Sequence, residues 1–424
     1  MASEAKQLIL TAQPSAAVIA LNEIQKAAPG ARPAAFLSPE ARLVALPEGY
    51  LSLLENLRET RLIFARHMFP VQYSAMVGGG TGAASLGDRP VGGDSLGGGA
   101  VGDTPMMGNA PASDSPAGDA ADFNRPAFEA FLPKPGGEWD GLPFAVHIRI
   151  HSAAAGADLS AQAAELARTA EECLINRGFV KNDKEPTWAV SMFIRRDTDG
   201  VTLYAGVSYC QDNRSAWNGG EMRFKKDEDF ISRSEFKLLE AFSVFGLPAS
   251  PKDIAGTGLR VESAMTQAAS FSRTQSAPEA NSFAPLRALD LGAAPGGWTH
   301  ALLNMGYQVT AIDPAALDSR LAVHPRLTHI QSVAQRFNGK KEDYRLIVND
   351  MRMDTLDSVR IMLDMAPFLC AGGQAIMTLK LSQNHWYKQT AKALALLEQR
   401  YRIADVRQLF HNRGEVTVYA VLKS

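Results

Sequence analysis

Cysteine is scarce in this chain: only Cys173, Cys210 and Cys370 occur among 424 residues, with no Cys-x-x-Cys pair and no histidine cluster beside them. That argues against a disulfide framework and against a zinc site, and it suits a reducing cytoplasm, the expected location. Long apolar runs are missing too; none reaches the roughly eighteen residues of a membrane span, so no membrane association is expected. The first residues, Met1-Ala-Ser-Glu-Ala-Lys6, lack the basic, then apolar, then small pattern of a secretory leader. Charge of one sign is also lacking. Lys and Arg number 43 against 45 Asp and Glu, a net charge of -2. Nothing global therefore announces a nucleic-acid partner, and any such contact has to come from local patches.

What is present is ordinary globular composition, 46% hydrophobic and 21% charged, over a length that holds two or three domains. A strand at 8–11, an amphipathic helix at 15–27 and strands at 34–37 and 42–46 predict a small α+β module within residues 1–76. Residues 77–122 are then dominated by Gly, Ala, Ser, Asp and Pro. With so few large side chains they cannot offset their ordering entropy, and they read as a disordered linker. A β-α-β-β run follows at 144–150, 159–176, 188–194 and 202–207, predicting a second α+β module within 123–220. A helix is expected over 231–245, and residues 249–285 form a second Ser/Ala/Gly-rich stretch, read as a surface insertion. From Leu286 strands and helices alternate, so 221–424 reads as a doubly wound, Rossmann-like α/β domain.

The most informative segment is Arg287-Ala-Leu-Asp-Leu-Gly-Ala-Ala-Pro-Gly-Gly-Trp-Thr299. A strand ends near Asp290, a glycine turn follows, and a helix opens near Trp298. Gly292, Gly296 and Gly297 let backbone approach a ligand closely, and the helix start supplies free N–H groups. A second strand then ends in Asp313, about twenty residues past the first glycine, the usual spacing for an acid that binds ribose hydroxyls. A strand-turn-helix without ligand remains the plain alternative. A dinucleotide fits less well, because a proline inside the turn and an acid ending the first strand are unlike that fingerprint. The loop resembles that of the FtsJ-type methyltransferases, a class I methyltransferase family that binds S-adenosylmethionine. The resemblance implies that Ala294, Pro295, Gly296 and Gly297 wrap the methionine and ribose of that cofactor, with Asp290, Gly292 and Trp298 in the same loop and Asp313 on the ribose. One departure stands out: where the family carries an acid for the adenine amino group, this chain has Val333.

Four charged residues fall where strands or helices deliver them to the carboxyl edge of the sheet. Lys237 lies near the start of the helix ahead of the loop, Asp350 ends the fourth strand, Lys380 ends the fifth, and Glu415 opens the last, which pairs with 402–409 as a hairpin. Singly, each is an ordinary solvated strand end or cap. Together, in the order Lys, loop, Asp, Lys, Glu, they resemble the FtsJ-type tetrad. That resemblance implies a general base at Lys380, steadied by Asp350 beside the donor, with Lys237 and Glu415 orienting a ribose 2'-hydroxyl. An amine can remove a proton from so weak an acid if its surroundings tune it.

The resemblance widens through Tyr204-Ala-Gly206, Ser232-Arg-Ser-Glu-Phe-Lys237, Leu379-Lys-Leu381 and Arg407-Gln-Leu-Phe-His-Asn-Arg-Gly-Glu-Val-Thr-Val418 to the bacterial RlmM family, with Leu62-Ile-Phe-Ala-Arg-His-Met-Phe69 similar to its N-terminal region. Enzymes of that family methylate a cytidine ribose of 23S ribosomal RNA and carry a THUMP-like RNA-binding domain. The resemblance thus implies an RNA substrate met before ribosome assembly is complete, a THUMP-like module at 123–220, and Ser234 near the donor; otherwise Ser234 would simply cap its helix. A monomer is the expected state. The segments 77–122 and 249–285 match no family feature. Lys388, Lys392, Arg400, Arg402, Arg407, Arg413 and Lys423 form a locally basic C-terminal face, and Trp217 and Trp386 would either stack on a base or pack in a core. Two rivals remain open: another RNA acceptor, such as cap or tRNA ribose, and a non-catalytic RNA-binding assembly factor.

Overall fold

The computed structural model describes residues 5–77, 123–152, 159–198, 200–225, 229–247, 286–382 and 385–424. The 77–122 linker beyond its first residue and the 249–285 insertion lie outside the described residues. The chain separates into two compact units, one of Met1–Ile9, Gly30–Ser52 and Phe69–Asn218, the other of Leu10–Pro29, Leu53–Met68 and Gly219–Ser424.

The N-terminal elements are β1 (Gln7–Ala12), α1 (Ala17–Ala27), β2 (Arg32–Phe36), β3 (Ala41–Ala45), α2 (Tyr50–Asn56) and β4 (Ala65–Pro70). The four strands form one sheet in the order β2-β3-β1-β4. Its elements are divided between the two units. β5 (Tyr73–Val77), where no strand was expected, pairs with β8 (Gly200–Tyr209) of a second sheet.

The second sheet has the order β5-β8-β7-β6, built from β6 (Phe144–Ser152), β7 (Trp188–Asp197) and β8 (Gly200–Tyr209). β6 and β7 run parallel, joined through α4 (Ser160–Asn176), while β7 and β8 form a hairpin. Helix α4 buries Ala163, Leu166, Ala170 and Leu174, the i, i+3, i+7, i+11 stripe of a helix laid on a sheet. These meet Phe144, Trp188 and Val190 in one core, to which α3 (Arg125–Phe131) adds Phe128.

The C-terminal domain begins with α5 (Ser234–Val244) and holds a seven-stranded sheet. Its strands are β9 (Arg287–Leu291), β10 (Gln308–Ile312), β11 (Leu327–Ile330), β12 (Tyr344–Asn349), β13 (Leu369–Lys380), β14 (Tyr401–Arg407) and β15 (Glu415–Leu422), in the order β11-β10-β9-β12-β13-β15-β14. The first five are parallel; β15 runs antiparallel to both neighbours. Helices α6 (Gly297–Asn304), α7 (Thr355–Met365) and α8 (Trp386–Leu397) complete the alternation. Central strands read as apolar runs, Leu346-Ile-Val348 and Ala288-Leu289, because layers cover both faces. Strand order reverses between β9 and β12, and the carboxyl edge at such a switch point is where open α/β sheets hold ligands.

Candidate active site

The glycine loop leaves β9 at that switch point. Gly296 sits at φ 114°, left-handed, and caps the N-terminus of α6. A Cβ there would stand 2.3 Å from Leu321 Cδ1, and one on Gly297 would stand 2.2 and 2.6 Å from the hydroxyls of Ser232 and Ser234. The loop therefore closes only with glycine at both places. Beside it, Asp313 accepts hydrogen bonds from Ala294 N (3.0 Å) and Ala315 N (2.7 Å) and remains half-buried at the cleft edge. Gly292 and Ala294 are likewise half-buried and Pro295 is exposed, so this stretch of loop is open to a ligand.

Two expected contacts are corrected. Asp290 is 1% exposed and its Oδ2 accepts from Thr299 Oγ1 at 2.6 Å; burial pushes its carboxyl up to about 7. It braces the first turn of α6 rather than facing the cleft. Trp298 is 3% exposed, packs in the domain core, and donates its indole N–H to Ser234 O at 2.7 Å. The capping alternative for Ser234 also gives way: the cap position is Arg233, without a side-chain bond, and Ser234 Oγ lies 2.7 Å from Ser232 Oγ. The cap comes from inside the helix, where Glu235 Oε1 accepts from Ile231 N (2.6 Å) and Ser232 N (3.1 Å) while its Oε2 meets His300 Nδ1 at 3.0 Å. Sequence reading missed this; an acid one residue into a helix is a signal shared by many helix starts.

The four charged residues predicted from separate elements converge on one ring. Lys237 Nζ lies 3.2 Å from Asp350 Oδ2 and 2.6 Å from Glu415 Oε1. Lys380 Nζ meets the other oxygen of each acid, Asp350 Oδ1 and Glu415 Oε2. Each lysine thus bridges both carboxylates. The register explains the closure: Lys380 and Glu415 are direct partners across β13 and β15, and Asp350 follows β12, the other neighbour of β13. Thr378 Oγ1 donates to Asp350 Oδ1 at 2.6 Å, a contact that strand alternation could have suggested, since 378 and 380 share a face. Side-chain exposure around the ring is 8–22%.

Burial opposes charge on Lys237, but Asp350 and Glu415 outweigh it and raise its pKa above the usual lysine value. Burial likewise works against the Asp350 carboxylate, and Lys380 and Lys237 together bring its pKa below the usual range. Lys237 and Asp350 thus favour one another's charged forms, with Lys380 and Glu415 completing the ring. Such a constellation can position a hydroxyl and exchange a proton at one amine without a net charge being buried alone.

Two further expectations are resolved by burial. Trp386 is 7% exposed and stacks on Phe64 at 5.9 Å, so it belongs to a core, whereas Trp217 is 38% exposed. Of the basic C-terminal residues, Lys388, Lys392, Arg400, Arg402, Arg413 and Lys423 are exposed, and Arg407 is engaged by Asp405 at 2.8 Å. Val333 is 42% exposed just past β11, with Gln331 nearby donating to Pro314 O.

Residues 230–416 match the FtsJ-like methyltransferase family. Curated relatives named Ribosomal RNA large subunit methyltransferase M are 32% identical over 226 residues in Sodalis glossinidius and 32% over 225 in Edwardsiella ictaluri. A third, from Pseudoalteromonas translucida, is 28% identical over 224 residues. Each alignment covers 51% of this chain, and the chain spans about half the length of these relatives, 53%, 51% and 54% respectively.

Proposed function

We propose, from the FtsJ-like methyltransferase domain that residues 230–416 form, that this chain methylates RNA on a ribose 2'-hydroxyl with S-adenosylmethionine as donor, its substrate being a cytidine of 23S ribosomal RNA. The closed ring of Lys237, Asp350, Lys380 and Glu415 at the carboxyl edge carries the reading. A non-catalytic binding factor would need no such ring of lysines and carboxyl groups beside a ligand loop. The relatives' names favour ribosomal RNA over cap or tRNA.

The loop fits the donor on chemical grounds: glycines that exclude side chains, half-buried Gly292 and Ala294, and a half-buried carboxylate at Asp313 suited to ribose hydroxyls. When bound, the donor would supply an electrophilic methyl on a sulfonium sulfur, its S–CH3 bond breaking to leave the neutral thioether. Lys380 accepts the 2'-hydroxyl proton as the ribose oxygen takes the methyl. Lys237, its pKa raised by Asp350 and Glu415, stays charged and holds those acids in place through the cycle. Asp350 and Glu415 then stabilise the ammonium that Lys380 becomes. The second sheet, with β6 and β7 parallel and β8 antiparallel, serves in this reading as a THUMP-like RNA-recruiting module.

The decisive experiment maps 2'-O-methylation across ribosomal RNA from cells with and without this gene, followed by transfer of labelled methyl from S-adenosylmethionine to the unmodified RNA in vitro. Loss of one cytidine methylation, restored by the protein but not by Lys380→Ala, is expected. An unchanged map together with label appearing on tRNA or cap would move the substrate, and no label on any RNA would sink the reading.

A further inference from the structure

The stretch 53–68 belongs to the same compact unit as residues 219–424, although residues 69–218 separate them in sequence. Several contacts tie it there: Gln408 N donates to Ile63 O at 2.7 Å, Arg61 Nη2 to Ile403 O at 2.8 Å, and Phe64 stacks on Trp386. Those contacts are anchoring. Arg66 is different, because of what it holds.

Arg66 Nη2 points at three backbone carbonyls of a single turn, Leu409 O (3.3 Å), Phe410 O (3.4 Å) and Asn412 O (3.1 Å), and its guanidinium lies over the Phe410 ring at 5.7 Å. The amides of the same turn are taken from α5. Glu240, 3% exposed, accepts from Phe410 N at 2.7 Å and His411 N at 2.9 Å, and its Oε2 meets His411 Nδ1 at 2.7 Å. Carbonyls thus face a cation and amides an anion, each through charge-assisted bonds. Asn412 Oδ1 ties the turn internally, accepting from Leu409 N (2.9 Å) and Thr417 Oγ1 (3.0 Å). On leaving the turn the chain passes Gly414, whose carbonyl accepts from Leu381 N at 2.8 Å, and reaches Glu415. Glu240 stands on the same helix as Lys237, so the clamp and the ring share a support.

We infer that Arg66 is a positioning residue for the candidate site: with Glu240 it fixes the 409–413 turn and so sets where Glu415 enters the ring with Lys237 and Lys380. The N-terminal stretch then completes the geometry of the site as well as docking onto its domain. Arginine suits the task because its planar guanidinium lies over the Phe410 ring while donating to the carbonyls, a stacking that a lysine's ammonium does not reproduce.

The inference rests on the methyl-transfer reading for its kinetic arm only. In the full-length chain, Arg66→Gln, Arg66→Lys, Glu415→Gln, the Arg66→Gln/Glu415→Gln double variant and Arg61→Gln would be compared. Single-turnover transfer to unmethylated 23S ribosomal RNA at saturating S-adenosylmethionine, donor affinity by calorimetry, and amide hydrogen exchange give three readouts. A misplacement of about 1 Å costs up to about a hundredfold in rate, so Arg66→Gln should lose about ten- to a hundredfold with donor affinity unchanged. Arg66→Lys should recover part of that rate, Arg61→Gln nearly all of it, and the double variant should be no slower than Glu415→Gln. Exchange should rise across 409–416 in Arg66→Gln and stay unchanged around 292–297. Losses that multiply in the double variant, or exchange across 409–416 that does not change, would overturn the inference. If the wild-type chain transfers no methyl to RNA, the functional proposal fails and exchange alone decides the clamp. If Arg66→Gln does not fold, Arg66→Lys carries the same comparison.

Discussion

Lys380 and Glu415 stand opposite one another in the antiparallel pairing of β13 with β15, and Lys237 reaches both Glu415 and Asp350 from α5. One backbone register thereby closes a ring whose members come from four separate stretches of chain. The register also sets how each member should respond to substitution.

Replacing the base tests the chemistry directly. Lys380→Ala should bind S-adenosylmethionine as wild type does, while single-turnover methyl transfer falls about a hundred- to ten-thousand-fold, the usual cost of losing a general base. Lys380→Arg puts a permanent cation in the ring that cannot accept a proton, and should be nearly as slow. An Arg variant with most of its activity would leave Lys380 as a source of positive charge only.

Donor binding is best probed at Asp313. Gly296→Val would lose the donor, but a Cβ at Gly296 also strikes Leu321, so that variant mixes ligand exclusion with strain in the loop. Asp313→Asn changes only charge and acceptor capacity beside Ala294 and Ala315. Its donor affinity by calorimetry should fall at least tenfold, about 1.4 kcal/mol, with the thermal midpoint little altered. Unchanged affinity would place the ribose elsewhere.

Asp290 gives a pH signature unrelated to catalysis. Burial, only partly offset by hydrogen bonds from Thr299, raises its folded pKa to about 7, against about 3.9 in an unfolded chain. A carboxyl raised on folding binds its proton more tightly in the folded state, so its contribution favours folding at low pH. That contribution is lost as pH climbs between those two values, a penalty on the order of 4 kcal/mol by neutral pH. Asp290→Asn, which cannot ionise, should therefore gain stability relative to wild type as pH rises from 5 to 8 in denaturant melts. A stability difference independent of pH would show that Asp290 is not the titrating group.

Trp386→Ala distinguishes core packing from base stacking. With the ring buried against Phe64, the variant should lose about 3–5 kcal/mol of stability, as large aromatic-to-alanine changes in cores do. RNA affinity measured well below its melting temperature should hold. Intact stability with weakened RNA binding would reverse the assignment.

The sequence by itself determined the alternation of elements and the glycine loop, because these are written locally, whereas the charged tetrad stood out only through its resemblance to the FtsJ-type order. A strand end, a turn that admits only glycine and a 3.6-residue stripe each announce themselves within about a dozen residues. The basic C-terminal cluster was visible in the same way. Tertiary structure decided everything that depends on which surfaces meet. It buried Asp290 and Trp298, which had been expected at the ligand, and decided for core packing at Trp386, because core membership follows from neighbours far along the chain. It paired β5, where no strand was expected, with β8, and it divided the N-terminal elements between two units. It also brought Arg66 onto the carbonyls of 409–412, more than three hundred residues away. No local pattern marks that contact, since an arginine after an alanine in a short strand is an ordinary exposed residue until another turn of chain offers it three oxygens.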